Sequence, residues 1–415
     1  MLYKIVYGDL NMKKRLTSQE WIKEGGDVLM ATYTRFPLVL ERGRGATVVD
    51  LEGKRYLDFV SGVAVNSLGH GDPRLVKAVQ RQAGRLLHVS NLYYNTAQIA
   101  LAKLLTAHSF ADKVFFCNSG AEAVEAAIKL ARKYAKEKRG PGCFEIIAAQ
   151  GSFHGRTLGA LAATGQEKYQ KGFEPLLPGF KHVPFDDVEA IEKAVTPQTA
   201  AVLLEPIQGE GGVRVPQKGY LAKVRRLCDA RGLLLILDEV QTGIGRTGRL
   251  FAYEHEEMTP DIVALAKGLG GGVPIGAMLA TEEAARAFTP GSHASTFSGN
   301  PLVCAAGIVV MERMTKGPAF LKGVRERGVY LMKRLGELQE RTPLIKEIRG
   351  LGLIVAADLS IPAPEVVEKA MAGGLLLNRT SERTLRFVPP LTILRSEIDQ
   401  MISILSKILM EAGYA

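Results

Sequence analysis

Tryptophan occurs once in the 415 residues, and cysteine only four times. Cys117, Cys143, Cys228 and Cys304 are widely separated and share no metal-ligand spacing. That excludes a disulfide scaffold or a zinc ribbon; we expect free buried thiols in a reducing cytoplasm and no metal. No run of 18 apolar residues is present, so no membrane-spanning helix is expected. The N-terminal stretch MLYKIVYGDLNMKKRL lacks the apolar core of a signal peptide. Repeats and low-complexity tracts are absent too. A net charge of +10 would suit nucleic acid, but no basic block with interleaved aromatics accompanies it. A basic field around a site for acidic substrates or phosphate is the better use of that charge.

What is present is ordinary globular composition, 47% hydrophobic and 23% charged. The length exceeds what one core fills, so two domains are expected. Thr17 and Glu20 stand in capping-box spacing ahead of a short helix. LVLERGRGATVVDLEGKRYLDF then reads as strands, with DLEGKRY the turn of a small antiparallel meander. RLVKAVQRQAGRLL and NTAQIALAKLLTAHS carry helical periodicity. From about 113 to 280 apolar runs (KVFFC, FEIIAAQ, TAAVLLEP, GLLLILDEV, IVALAKGLG, GAMLA) alternate with helical stretches. LLLIL at 233–237 is apolar on both faces, as in an interior parallel strand. The fold class is therefore α/β, a three-layer domain with a mostly parallel sheet, plus a smaller α+β domain built from the N- and C-terminal segments. The divisions fall at 1–65, 66–300 and 301–415.

Ligands of open α/β sheets bind beyond the carboxyl ends of the strands. KVFFCNSGAEAVEAAIKLAR ends a strand at Cys117 and starts a helix near Ser119, which has capping-box spacing to Glu122. Gly120 lets backbone amides approach an anion, so the turn reads as a phosphate cradle or simply as a capped helix. After FEIIAAQ, Phe153 offers an aromatic face and Arg156 a five-donor fork for a carboxylate. Core packing and a surface ion pair are their plainer readings. AVLLEPIQGEGG ends a strand at Glu205 and sets Glu210 between glycines, where it can bond amides or hold an arginine. LLLILDEVQTG puts Asp238 at the buried end of a central strand, where a lone carboxylate is expensive. A protonated ring nitrogen is one partner for it, with Gln241 near another edge of the ring; backbone amides are the alternative. Lys267, in ALAKGLGGGVPIGAML, stands among apolar residues and glycines, either as a loop lysine with its stem on apolar surface or as an amine that captures a carbonyl. Lysine, aspartate and anion turn together call for an aldehyde, a pyridine nitrogen and a phosphate, which is pyridoxal 5'-phosphate (PLP).

With TYTRFPLVLERGRG, NSGAEAVEAAIKLAR, SFHGRTLG, LLEPIQGEGG, LILDEVQTGIGRTG, AKGLGGGVPIGA, HASTFSGNPL and LRFVPPL, the chain resembles the class III (fold type I, subgroup II) PLP-dependent aminotransferases from about residue 32 to 410. The resemblance implies that Lys267 holds the cofactor aldehyde and Asp238 the ring nitrogen. It implies Gln241 near the ring hydroxyl and Phe153 on the ring face. Ser119, Gly120 and Ala121 would hold the phosphate. Thr296 would reach the phosphate of a second subunit, in an obligate homodimer with active sites at the interface. Substrate contacts would be Arg156 for the α-carboxylate, Arg386 for the distal carboxylate of glutamate or 2-oxoglutarate, Glu210 to pair with Arg386 when an acylated amine is bound, and Ser295. Gly62 stands where ornithine-specific members have a tyrosine, and leaves room for an acyl group.

The implied reaction moves the δ-amino group of N2-acetyl-L-ornithine to 2-oxoglutarate, in arginine biosynthesis. Rival amine donors within the family are succinylornithine, ornithine, 4-aminobutyrate and N-acylated lysine-type intermediates. Outside it stands an isomerase resembling glutamate semialdehyde aminomutase.

Overall fold

The computed structural model describes residues 16–413; the N-terminal stretch read for a signal peptide lies outside them except for Leu16. The fold is organised by two runs buried along their whole length. These are β7 (Thr199–Leu204) and β8 (Leu234–Asp238), which pair in parallel. Leu235 and Leu237 of β8 point into one apolar cluster, Leu234 and Ile236 into another, so layers cover both faces of the sheet. That double burial is why LLLIL shows no alternation.

Seven strands make this sheet, in the order β4 (Lys113–Cys117), β10 (Gly276–Ala280), β9 (Ile262–Leu265), β8, β7, β5 (Glu145–Ala149) and β6 (Phe180–Val183). Only β10 runs antiparallel to its neighbours. β6 was not legible in the sequence, since FKHV at the sheet edge is only partly buried and carries two polar residues.

Thr17 forms the capping box with Glu20 that opens α1 (Ser18–Val28). The meander follows as β1 (Leu40–Arg44), β2 (Thr47–Asp50) and β3 (Arg55–Asp58). The two expected helices are α2 (Pro73–Ala83) and α3 (Thr96–Ala107). Next comes α4 (Gly120–Arg139), which packs on β7 to β10. Later helices are α5 (Leu158–Ala163), α6 (Val188–Ala194), α7 (Tyr220–Arg231), α8 (Pro301–Thr315), which packs on α2 and α3, and α9 (Ala319–Gln339). A C-terminal sheet holds β11 (Ile345–Leu351), β12 (Ile354–Leu359), β15 (Thr384–Phe387) and β14 (Asn378–Arg379), with α10 (Ala363–Ala372) and α11 (Arg395–Gly413). The run GLLLN divides between two sheets. β13 (Leu375–Leu376) joins β3 in parallel, which ties the C-terminal segment to the N-terminal meander, and Asn378 pairs with Arg386.

All four cysteines are buried and free. Among the described residues no helix is long and apolar enough to cross a membrane.

One short segment is conformationally expensive. Ser61, Gly62, Val63 and Ala64 all have positive φ, between 45° and 65°, and so form a turn of left-handed helix. Each non-glycine residue there costs roughly 1–2 kcal/mol. Asp58 holds the turn: its Oδ1 accepts the Val60 and Ser61 amides at 2.9 and 2.8 Å, and its Oδ2 bonds His70 Nε2 at 2.7 Å. Ser61 donates its hydroxyl to the Val388 carbonyl. Asp58→Ala leaves these donors unpaired, and we expect a loss of about 1–3 kcal/mol, read as a lower urea midpoint. An unchanged midpoint would refute this account of the turn.

Candidate active site

Three parallel strands deliver their last residues to one place. Leu204 pairs with Leu237, so Glu205 and Asp238, the next residue on each strand, stand side by side. Asp238 pairs with Ala264 on β9, and Lys267 follows three residues later. Together they face a cavity of about 470 Å³ that is also lined by Ser119, Gly120, Ala121, Phe153, Arg156, Glu210 and Gln241.

Asp238 is 4% exposed. Its Oδ1 accepts the Val240 amide at 3.0 Å, and its Oδ2 lies 2.8 Å from Nδ1 of His154, itself buried. With its proton on Nδ1, His154 donates to the carboxylate and fixes its plane. Glu205 accepts the Phe153 and Gly209 amides at 3.0 and 3.2 Å. Burial, and then the charge of Asp238, hold the Glu205 carboxyl well above the ordinary carboxylate range. The shift disfavours a second negative charge beside Asp238. The sequence pointed to neither His154 as a partner nor Glu205 as a neighbouring carboxyl. The available signal was positional: Glu205 ends the strand beside the one that ends in Asp238, and His154 follows β5, one strand further along the sheet.

Lys267 has φ of 41°, a left-handed conformation that a non-glycine residue rarely adopts. Burial, assisted by the charge of Arg386, lowers its pKa against the opposing pull of Glu210, Asp238 and Glu205. Its amine is thereby kept closer to the neutral, nucleophilic form.

The turn before α4 opens toward the same cavity. Ser119 caps the helix, its Oγ accepting the Glu122 amide at 3.2 Å, and 20 residues of aligned dipole stand behind it. A Cβ on Gly120 would come within 2.7 Å of Val240 Cγ1, so only glycine lets the helix start so close to the sheet. Glu122 accepts the Asn118 amide. Burial would raise the Glu122 pKa, but hydrogen bonds from Asn118 and Ser119 win and lower it.

Arg386 is 1% exposed and does not itself line the cavity; it meets Glu210, which does, at 2.5 Å. Burial would raise the Glu210 carboxyl, but the charges of Arg386 and Lys267 outweigh it and bring it down to about 2. The pair is therefore fully formed above the ordinary carboxylate range and is lost only as the pH falls through that range toward about 2. Gln241 is bound into it, donating to Glu210 at 3.1 Å and accepting from Arg386 at 3.2 Å. Gln241 also lines the cavity, and both ends of its amide are bound into this pair.

Arg156 lies with its guanidinium 4.0 Å from the Tyr169 ring centroid and 5.6 Å from that of Phe153. Its partners are aromatic faces, which leave its donors free for a carboxylate. Gly62 lines a second cavity of about 1420 Å³ beside the N-terminal segment; Asn66 lines it too, and the preceding residue, Val65, lines the first. Thr296 is exposed. Ser295 accepts the Asn118 side-chain amide at 3.0 Å and donates to Glu122 at 3.3 Å, which places it beside the anion turn.

These residues fit PLP. A glycine-cleared helix terminus suits the phosphate, a dry carboxylate the protonated ring nitrogen, Phe153 a flat ring, and Lys267 an aldehyde.

Comparison with known proteins agrees. The aminotransferase class-III family model matches residues 29–409. The acetylornithine aminotransferase of Caldanaerobacter subterraneus subsp. tengcongensis is 56% identical over 93% of this chain and 98% of its own length. The acetylornithine aminotransferase of Methanocaldococcus jannaschii is 48% identical over 95% and 99%. A solved ornithine aminotransferase from Toxoplasma gondii, described with partial occupancy of PLP at its active site, superposes with a TM-score of 0.94 at 35% identity, covering 100% and 99% of the two chains. The desolvated lysine, its aspartate and the glycine-cleared turn thus have their explanation in membership: the chain belongs to the class III aminotransferases and is a PLP-dependent transaminase.

Proposed function

We propose that the amine donor is N2-acetyl-L-ornithine, giving N-acetyl-L-glutamate 5-semialdehyde, with 2-oxoglutarate as acceptor and L-glutamate as second product, a step of arginine biosynthesis. The observation that carries this reading is the closed Glu210–Arg386 pair at 2.5 Å. A dicarboxylate displaces Glu210 and takes the guanidinium; a neutral acylated tail finds that guanidinium already neutralised. Without Glu210, a buried cation would face the neutral tail unpaired. Gly62 in place of a large side chain supports the acyl group, as do relatives named acetylornithine aminotransferase at 48 and 56% identity.

Bound PLP supplies an electrophilic aldehyde and an electron sink. Arg156 would grip the α-carboxylate, and the Lys267 amine would move the proton at the δ-carbon. Asp238, oriented by His154, keeps the ring nitrogen protonated. We further propose a cytoplasmic homodimer in which Thr296 reaches the phosphate site of the partner. Leu92, Tyr93, Tyr94 and Phe297, 60–94% exposed, supply an apolar face for it. The domain division is 1–65 with 301–415 as the small unit and 66–300 as the cofactor-binding unit.

A panel of N-acetylornithine, succinylornithine, ornithine and 4-aminobutyrate with 2-oxoglutarate tests the donor; preference for any of the last three overturns it. Lys267→Ala should abolish both turnover and the absorbance band of bound cofactor, and retention of both would remove the lysine from its role. Replacing His154 with leucine should lower kcat by about 10- to 100-fold with the fold intact, the usual cost of losing an orienting partner; full activity would make the contact incidental. Glu210→Ala should harm the N-acetylornithine half-reaction more than the glutamate half-reaction. Equal effects would count against the switch.

A further inference from the structure

Glu210 and Arg386 come from different parts of the chain, and one further side chain ties their supports together. Glu210 sits at the tip of a narrow loop closed by Gln208 and Arg214, which exchange backbone hydrogen bonds at 3.1 Å in both directions. Glycines flank it. A Cβ at 209 would collide with the Gln241 side chain, and one at 211 would come within 2.5 Å of the Gly151 carbonyl. Such a tip has little stiffness of its own. It turns back through Gly212 (φ 106°) and Val213 (φ 53°), the latter a β-branched residue in a left-handed conformation and fully buried. Val213 packs with Ile354, Ala356 and Val388 of the C-terminal sheet.

Arg349, on β11, reaches across to this loop. Its Nε and Nη2 both donate to the Gly212 carbonyl, at 2.9 and 2.6 Å. Its other edge grips Asp358 on β12, with Nη1 and Nη2 at 2.7 and 3.0 Å from the two carboxylate oxygens. Asp358 in turn accepts the Thr384 hydroxyl at 2.6 Å. Thr384 lies two residues before Arg386 on β15, hence on the same face of that strand. A cross-strand ion pair would need only Asp358. The second edge of the guanidinium is spent on one backbone carbonyl two residues beyond Glu210, a double contact that only a planar fork can make. Burial would raise the Asp358 carboxyl, but bonds from Arg349 and Thr384 hold it below the ordinary range, so the anchor is charged at neutral pH.

We infer that Arg349 is a specificity-determining positioning residue: it registers the Glu210 loop against the Arg386 strand, so that Glu210 closes on the guanidinium when a neutral-tailed donor is bound. This rests on the proposed Glu210–Arg386 switch. A dicarboxylate displaces Glu210 whatever its loop does, and so needs the register less. Loss of Arg349 therefore separates the two substrate classes rather than weakening both.

The test compares the wild-type, Arg349→Met, Arg349→Lys and Glu210→Ala holoenzymes. It measures single-turnover kinetics of each half-reaction and binding of glutarate, a dicarboxylate without an amine. Arg349→Met should lower kcat/KM for N-acetylornithine by about tenfold, mostly through KM, and leave the glutamate half-reaction within about twofold. Glutarate should bind equally or more tightly, because the competing carboxylate is less firmly held. Arg349→Lys, with a point charge in place of the fork, should fall between. If Arg349→Met does not fold, Asp358→Asn loosens the same grip and should shift the same ratio in the same direction. Parallel loss of both half-reactions, an unchanged ratio, or weaker glutarate binding overturns the inference. If Glu210→Ala shifts the ratio and Arg349→Met does not, only the role of Arg349 falls. If Glu210→Ala leaves the ratio unchanged, the switch itself fails first.

Discussion

A carboxylate buried at the end of the central strand sets the terms for everything around it. Asp238 is nearly sealed from water, and low dielectric makes both its isolation and its pairing costly in free energy. The chain answers with one backbone amide and one imidazole, and burial raises the pKa of the carboxyl on the adjacent strand, Glu205. Lys267 then stands where burial disfavours its own charge. The strand ends thus present a retained acceptor, an acid with a raised pKa and an amine with a lowered one. Water would have left all three groups charged; burial gives them different roles.

Much of this was legible because the sheet is buried on both faces. Runs such as LLLIL admit only one kind of position, and a charged residue at the end of such a run, Asp238, stands out by its cost. Lys267 was legible for the same reason. Gly120 was readable as a close approach, and the structure supplies the neighbour, Val240. His154 escaped notice because a lone histidine in GSFHGR carries no periodic or electrostatic signature. Its role depends on two strand ends meeting across 84 residues. Gln241 was placed by resemblance at the ring; its further bonds to the paired Glu210 and Arg386 carry no sequence signature. β6 and the division of GLLLN between two sheets were illegible because edge strands and two-residue strands are fixed by tertiary partners and not by local pattern.

The two ends of the cavity solve opposite electrostatic problems. At the cofactor end the charges are permanent, and backbone, imidazole and helix terminus are fixed around them. At the distal end the pocket must present a cation to one substrate and none to another. A rigid ion pair would refuse the dicarboxylate, and an unpaired arginine would penalise the neutral tail. Glu210 at a glycine-flanked tip meets both demands, since a short flexible loop can let the carboxylate leave and return.

Flexibility alone would not suffice. A loop free to wander spreads Glu210 over many positions, and closing on Arg386 would then cost conformational entropy at each turnover. The structure limits that cost by stiffening the loop one step away from its moving part. The Gly212 carbonyl is clamped by a guanidinium, Val213 is sunk in an apolar cluster, and the residue that has to move lies just beyond both. Glycine at 209 and 211 is then no generic softness but a hinge of two residues set against a fixed base. The left-handed turn at Ser61–Ala64 follows a similar logic at the acyl side: backbone strain is accepted at the pocket wall and held by Asp58, which lines the same pocket. In both places the residue nearest the substrate is small or mobile. Rigidity is supplied by a charged side chain that lines neither the catalytic cavity nor the path of the reacting atoms. Substrate choice in this chain is therefore distributed between what touches the substrate and what fixes the backbone behind it.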